Sequence, residues 1–304
     1  MKRFIVTGAS GFIGSALVRK LLANDDEVWA IVRSKDKMHN LDNEKLHIVE
    51  ADFNQYDQLA EMIAEKDFDC FFHLAWQGTW GAAFQDYALQ LNNAKYACDA
   101  LLQAAKINCK RFILIGTIVQ LEAKKYLLSD EGIPRFSCIY GAAKNTAEIL
   151  CRIEAEHLSI GWNLAVLSSV YGIGDTSGMI ENTLIKSFLS NQTPKLVEGN
   201  NYYDCTYVDD IVDGLIAIAN KGIKNKTYYV GHREMRTFRE IVDNIRDVLA
   251  PEMPLIYGEY PDSTPIDYSL IDVNALYNDT GFECEADFES SILQTAQWIQ
   301  TNLM

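Results

Sequence analysis

Val6-Thr7-Gly8-Ala9-Ser10-Gly11-Phe12-Ile13-Gly14 joins a short apolar run, residues 4–7, to an amphipathic stretch over 12–22. The run reads as a buried strand and the stretch as a helix with one apolar face, so the three glycines occupy a strand-to-helix turn. Gly8 permits the tight turn, Gly11 removes a side chain that would obstruct a pyrophosphate, and Gly14 lets the helix lie close to the strand. The amides at the helix start then face the phosphates, and Ser10, Phe12 and Ile13 join the glycines as expected cofactor contacts. Outward from this turn, strand patterns over 28–32, 46–49, 70–74, 111–115 and 164–168 alternate with helical patterns over 58–65, 87–105 and 142–157. Such alternation predicts an α/β fold built on a parallel sheet covered on both faces.

The chain has 304 residues, and 48% hydrophobic content is enough to bury a large core, which excludes global disorder. With 27 Lys and Arg against 42 Asp and Glu, the net charge of −15 argues against nucleic acid or an anionic membrane as partner. It still allows a small anion held by local amides and a few cations. The seven cysteines form no CxxC pair and are read as reduced core thiols. The opening apolar run is too short for a signal-peptide core, and no later run approaches the roughly 18 apolar residues of a membrane span, so a cytoplasmic chain is expected. Five histidines without mutual spacing predict no metal site.

The end of the second strand offers Val32-Arg33-Ser34-Lys35 where an acidic residue would accept hydrogen bonds from an unmodified ribose. Arg33 and Ser34 suit a 2′-phosphate, so NADP is favoured over NAD, which stays open because an arginine can also face solvent or stack on adenine. Asp52, followed by Phe53, stands where it would meet the adenine rim; the alternative is an ordinary loop carboxylate. Tyr140-Gly141-Ala142-Ala143-Lys144 puts a phenol and an ammonium on one helix face. Carbonyl and alcohol redox chemistry needs a proton donor or acceptor beside the reacting oxygen, and a neighbouring cation would lower the phenol's pKa. Lys144 can also hold the nicotinamide ribose.

These residues, with His73-Leu74-Ala75, Val170-Tyr171-Gly172 and Tyr207-Val208-Asp209-Asp210 in order along the chain, resemble an extended short-chain dehydrogenase/reductase. The similar group is the NAD-dependent epimerase/dehydratase family, which includes nucleotide-sugar epimerases, dehydratases and 4-keto-sugar reductases. The resemblance implies a Rossmann-type, doubly wound parallel sheet with a smaller C-terminal substrate-binding lobe. It places Thr117, 23 residues before Tyr140, where the family keeps its catalytic Ser or Thr. It puts Asn93 near the active site and Leu74, Ala75 and Trp76 under the cofactor, with His73 a packed residue rather than an acid or base. It also implies a homodimer formed through helices beside the catalytic one, although the small and apolar residues over 142–158 equally suit burial against the sheet.

Several positions depart from the family pattern. Tyr96 and Ala97 replace a helix-start glycine and threonine, which reads as local packing. The segment before Val170-Tyr171-Gly172 lacks the usual arginine and asparagine, and Tyr203-Asp204 replaces an arginine-aspartate pair whose arginine holds a nucleotide-sugar phosphate in some members. Arg233 and Arg236 could supply replacement charge or face solvent. In Ala75-Trp76-Gln77-Gly78-Thr79-Trp80-Gly81, Trp76, Gln77 and Trp80 suit a sugar-facing wall, the alternative being two indoles closing the join between lobes. The adjacent acids that dehydratases carry just after the catalytic threonine are replaced by Ile118, Val119 and Gln120, and Asp130-Glu131 is not taken for them.

The leading expectation is NADPH-dependent reduction of a nucleotide-linked 4-keto-6-deoxy sugar, with Tyr140 handling the proton, Lys144 tuning it, and Thr117 orienting the oxygen. A nucleotide-sugar 4-epimerase with tightly bound NAD is the alternative. Reduction of another small carbonyl compound and a non-catalytic NAD(P)-sensing regulator also stay open. Residues 1–170 are expected to form the cofactor domain and 171–304 mainly the substrate lobe, with a segment near 205–230 returning to the sheet.

Overall fold

The computed structural model describes residues 1–38, 41–129, 132–261 and 266–304, so the Asp130-Glu131 pair lies outside the described residues. The first half alternates as expected: β1 Arg3–Thr7, α1 Phe12–Ala23, β2 Glu27–Val32, β3 Leu46–Glu50, α2 Leu59–Met62, β4 Cys70–His73, α3 Tyr87–Lys106, β5 Arg111–Thr117, α4 Val119–Leu128, α5 Cys138–His157 and β6 Gly161–Leu167. The second half is more broken: β7 Ser169–Tyr171, α6 Ile180–Leu189, β8 Lys195–Val197, β9 Tyr202–Tyr203, β10 Cys205–Tyr207, α7 Val208–Lys221, β11 Lys226–Val230, β12 Arg236–Thr237, α8 Phe238–Leu249, β13 Ile256–Tyr260, α9 Ala275–Thr280 and α10 Phe288–Asn302.

Seven strands form one sheet in the order β3-β2-β1-β4-β5-β6-β11, every neighbouring pair parallel. Strand periodicity divides its side chains between two cores. Phe4, Val6 and Val28 face the layer containing Leu17 of α1 and Leu215 of α7, whereas Ile5, Trp29 and Phe71 face the layer containing Leu101 of α3 and Cys151 of α5. This is the α/β doubly wound sheet anticipated from the alternation. The direction of winding reverses between β1 and β4, which opens a crevice at their carboxyl ends where Gly8 meets Ala75.

Local chemistry explains the differences in element boundaries. The helix expected over 58–65 shrinks to α2 because Asp52 and Gln55 form a reciprocal capping box that starts a 3-10 turn at Phe53, and Ile63 then takes extended backbone. Strand β6 ends at Leu167, after which the Ser168 amide turns to the Val230 carbonyl and the Ser168 hydroxyl to Thr206, 2.8 Å away. Helix α4 was absent from the periodicity. All seven cysteines are free thiols, and among the described residues no helix is long and apolar enough to cross a membrane.

The glycine turn is sterically strict. Gly8 has φ 68°, and a Cβ there would stand 2.9 Å from the Ala75 amide nitrogen; at Gly14 a Cβ would come within 2.1 Å of the Gly8 carbonyl oxygen. Gly14→Ala should therefore lower stability by ~1–3 kcal/mol through overpacking against backbone that cannot yield. An unchanged urea midpoint would show that α1 can shift away from β1 without cost.

Candidate active site

Thr117 closes β5, and Tyr140 and Lys144 lie one turn apart on α5, which packs against that strand. The Thr117 hydroxyl accepts from the Val119 amide at 3.4 Å, and Lys144 Nζ donates to the Ile115 carbonyl over 2.7 Å. Tyr140 is 8% and Lys144 4% exposed. Burial pushes the phenol well above its ordinary value, opposed by the nearby Thr117 hydroxyl, and pushes the Lys144 ammonium down to about 7. The expected lowering of the phenol by the lysine is therefore corrected in this geometry. Nζ sits 3.7 Å from the centroid of Trp76 and 5.8 Å from that of Tyr140, turned to the Ile115 carbonyl, so desolvation outweighs the cation's pull. The indole face and the carbonyl are the contacts that favour the charged amine.

A cover of rings closes over the phenol. Trp76 stands edge-on to Tyr140 with centroids 6.1 Å apart, and Phe84 lies tilted at 4.6 Å. Trp80 is 62% exposed and is not among the rings over the phenol. The loop carrying these rings hangs from α3. Fully buried Gln90 accepts from Trp76 Nε1 at 2.7 Å and donates to the carbonyls of Gly78 at 2.7 Å and Ala83 at 3.0 Å. Asn93 pairs with both backbone groups of Gln77, accepting from its amide at 3.0 Å and donating to its carbonyl at 2.9 Å. Asn93 thus fixes the loop through its side-chain amide, and Gln77 is held by its backbone.

Sequence reasoning missed Gln90, Phe84 and Gln120. Gln120 Oε1 accepts from the Thr117 amide at 2.9 Å, and its Nε2 donates to Asn145 at 3.1 Å, fixing the end of β5 to α5. The only local signal was a buried amide on an apolar helix face, which periodicity reads as a defect rather than an anchor.

The glycine turn has the geometry of an anion cradle. Helix α1 starts at Gly11 without a side-chain cap, so the first-turn amides of Phe12, Ile13 and Gly14 are offered to a group from outside the turn. At Gly11 the backbone is ordinary, with φ −79°, and the nearest atom to a Cβ is the Gly8 oxygen at 3.2 Å, so a close-approaching ligand supplies the stronger demand for glycine. Ser10 is half-buried beside it. The Thr7 hydroxyl ties the two sides of the crevice, accepting from the Ala75 amide at 3.3 Å and meeting His73 Nδ1 at 3.1 Å. Burial, followed by the Lys144 charge, holds His73 down to about 3, which keeps it a neutral packed ring. Leu74 is half-buried between them.

Arg33 is exposed at the end of β2 and Ser34 is half-buried, while Glu50 on the neighbouring strand accepts from the Lys35 amide at 3.1 Å. Asp52 is occupied as a cap, accepting from the Phe53 amide at 2.8 Å, and Phe53 stacks on Tyr56, so the structural alternative for this carboxylate is the one the geometry displays. Tyr96 packs on Phe53 and Ala97 is buried in the same core. Arg233 lines a separate cavity of about 260 Å³ with Arg236, His232 and Tyr277, which Tyr140 and Thr117 do not line. Its guanidinium stacks 4.0 Å over Tyr277 and pairs with Glu283. Tyr203 donates to buried Glu181 at 2.8 Å, and Asp204 accepts from the Tyr229 hydroxyl at 2.6 Å and from both the amide and Nδ1 of His232. Among the described residues no cluster suits a metal ion.

Gln90→Leu leaves the Trp76 indole N–H and two loop carbonyls without their buried partner, so a loss of ~1–3 kcal/mol and proteolytic nicking within 78–84 are expected. Lys144 supplies a pH signature. Its folded value near 7 lies below the unfolded 10.5, so the unfolded chain binds more protons between them and ligand-free stability should climb as pH rises from about 7 to 10. Denaturant titrations across that window should show the slope, and Lys144→Met should flatten it.

Comparison with known proteins places this geometry. The chain is 27% identical to the CDP-abequose synthase of Yersinia pseudotuberculosis, covering 85% of this chain and 88% of that one. It is likewise 27% identical to the uncharacterized UDP-glucose epimerase YtcB of Bacillus subtilis, covering 84% and 85%. The crystal structure of the Thermotoga maritima UDP-glucose 4-epimerase with UDP-glucose shares the fold, with a TM-score of 0.81, 21% identity and coverage of 99% and 100%. Residues 4–231 match the NAD dependent epimerase/dehydratase family, and the chain is an enzyme belonging to that family.

Proposed function

We propose that this enzyme epimerises a nucleotide-linked sugar at a carbinol carbon, passing through a ketone while a nicotinamide dinucleotide stays in the crevice between Gly8 and Ala75. The observation that carries the reading is the buried Tyr140 phenol, closed off beneath Trp76 and Phe84, with Lys144 one helical turn on and Thr117 at the end of the strand that α5 packs against. A bound oxidised nicotinamide would supply the hydride acceptor for the carbinol carbon and, once reduced, the hydride donor for the ketone. Tyr140 Oη takes the hydroxyl proton of the substrate and returns it, and Thr117 holds the same oxygen through its own hydroxyl. Lys144, once its amine is drawn from the Ile115 carbonyl to a ribose hydroxyl, favours the ionised phenol. The uncapped amides of Phe12, Ile13 and Gly14 receive the pyrophosphate, with Ser10 and Gly11 beside them. Trp76 offers the sugar an apolar face. The names of YtcB and of the Thermotoga enzyme support epimerisation, and the family description supports NAD.

One observation favours a second reading. Arg33 and Ser34, the two residues directly after β2, suit the 2′-phosphate of NADPH and thus net reduction of a 4-keto-6-deoxy sugar. Ile118, Val119 and Gln120 provide no acid pair for dehydration in either case. In both readings residues 171–304 supply most of the substrate lobe, with the segment near 205–230 returning to the sheet. The exposed apolar side chains of Leu91 on α3 and Ile149 and Ile153 on α5 support closure of that face by a second copy of the chain.

The deciding experiment titrates stripped enzyme with NAD(H) and NADP(H), then follows sugar isomers and nicotinamide absorbance together on a panel of nucleotide sugars and their 4-keto-6-deoxy derivatives. Epimerisation gives isomer exchange with no net change in absorbance. Stoichiometric NADPH oxidation, weakened by Arg33→Ala, would install the reductase instead. Tyr140→Phe should lower turnover by ~10²–10⁴ with cofactor affinity preserved. Cofactor binding without turnover anywhere on the panel would mean a sensor.

A further inference from the structure

Two thiols meet between the helices that hold the site. Cys98 on α3 and Cys151 on α5 stand with their sulfurs 3.9 Å apart. The close approach comes from small residues along the seam, with Ala94, Ala97 and Cys98 on one helix against Ala147, Cys151 and Ala155 on the other. A disulfide needs sulfurs about 2.0 Å apart, so closure asks for rotation of two short side chains and a shift of about 2 Å between their sulfurs. Cys98 is half-buried at the α3/α5 face, so a small oxidant reaches it in the protomer and, where a second copy covers that face, at the edge of the contact, whereas Cys151 is fully buried behind it. The other buried thiols are differently engaged or enclosed; Cys109, for example, donates to the Arg111 carbonyl at 3.2 Å.

We propose that Cys98 and Cys151 form a peroxide-oxidisable pair that closes to an intramolecular disulfide, covalently joining α3 to α5. The Cys98 thiolate attacks one peroxide oxygen, forming an S–O bond and breaking the O–O bond, which leaves a sulfenic acid and water after protonation. The Cys151 sulfur then attacks that of Cys98, an S–S bond forms, and the second oxygen departs as water. Two thiols lose two electrons and two protons, and one peroxide becomes two waters. The Cys151 thiol also lowers the pKa of Cys98 by hydrogen bonding, while burial and that same contact raise its own, which fits attack by the outer sulfur and resolution by the inner one.

The position gives the bond a reach beyond its own atoms. Gln90 and Asn93, which suspend the Trp76 loop, precede Cys98 on α3, and Tyr140 and Lys144 precede Cys151 on α5. Oxidation would tie the loop's support to the helix bearing the phenol. The proposal is independent of which sugar reaction the enzyme performs, and its test does not read turnover.

The full-length protein is treated with a small molar excess of hydrogen peroxide, denatured, alkylated and mapped by peptide mass spectrometry. The expected result is a fall in alkylatable thiols from seven to five and a linked Cys98–Cys151 peptide two hydrogens lighter than its parts. Cys98→Ser should leave Cys151 alkylatable, and Cys151→Ala should leave Cys98 as a sulfenic acid that dimedone traps. The proposal is overturned by Cys98 oxidised to sulfinic acid beside a reduced Cys151, by a Cys98–Cys98 link between two chains, or by no loss of either thiol.

Discussion

Between the start of α1 and the end of β1 there is room for a hydrogen atom and nothing larger: Gly14 faces the Gly8 carbonyl across a gap in which a methyl group would overlap it. That contact sets the helix against the strand, and the uncapped amides of its first turn then open into the β1/β4 crevice. Gly8 imposes the second limit, since its left-handed backbone brings the turn within van der Waals reach of Ala75 on the far side. The crevice therefore has fixed walls before any ligand enters, and the Thr7 hydroxyl bonds across it.

The pair α3 and α5 does the corresponding work for the reacting groups. Helix α5 presents Tyr140 and Lys144 to the end of β5, and α3 suspends the loop that covers them. Small side chains along the seam bring these helices close, so the cover and the phenol are positioned by one contact. The polar ties are buried amides: Gln90 and Asn93 toward the loop, Gln120 and Asn145 toward the strand. Neutral amides suit this task because each offers donors and an acceptor without the desolvation cost of a charge.

How much could be read in advance follows from how local each signal is. The glycine spacing and the Tyr140–Lys144 spacing are contained within one turn or one helix, and the sheet is legible in the alternation of elements up to β6. A carboxylate after a strand looks the same whether it meets adenine, caps a turn or does both; at Asp52, Gln55 three residues on is the mark of the cap. Trp76 and Trp80 were indistinguishable by type, and only the fold turns one onto Tyr140 and the other outward. The sign of the lysine's effect on the phenol was hidden for another reason. Adjacency on a helix can be counted, but the water both groups lose depends on Trp76 and Phe84, which arrive from a distant loop.

β6 and β11 are neighbours in the sheet, yet β7 to β10, α6 and α7 lie between them in the chain. Most of that stretch is a detour between two strands whose pairing, Asn163 with Lys226 through Leu167 with Val230, is complete without it. The detour hangs above the carboxyl edge like an exchangeable fitting on a fixed frame. Substitutions or insertions within 172–202 can reshape that detour, which packs on α8 and α10, while the sheet's register stays as it is. The same frame can therefore tolerate change concentrated in one bounded segment without re-pairing its strands.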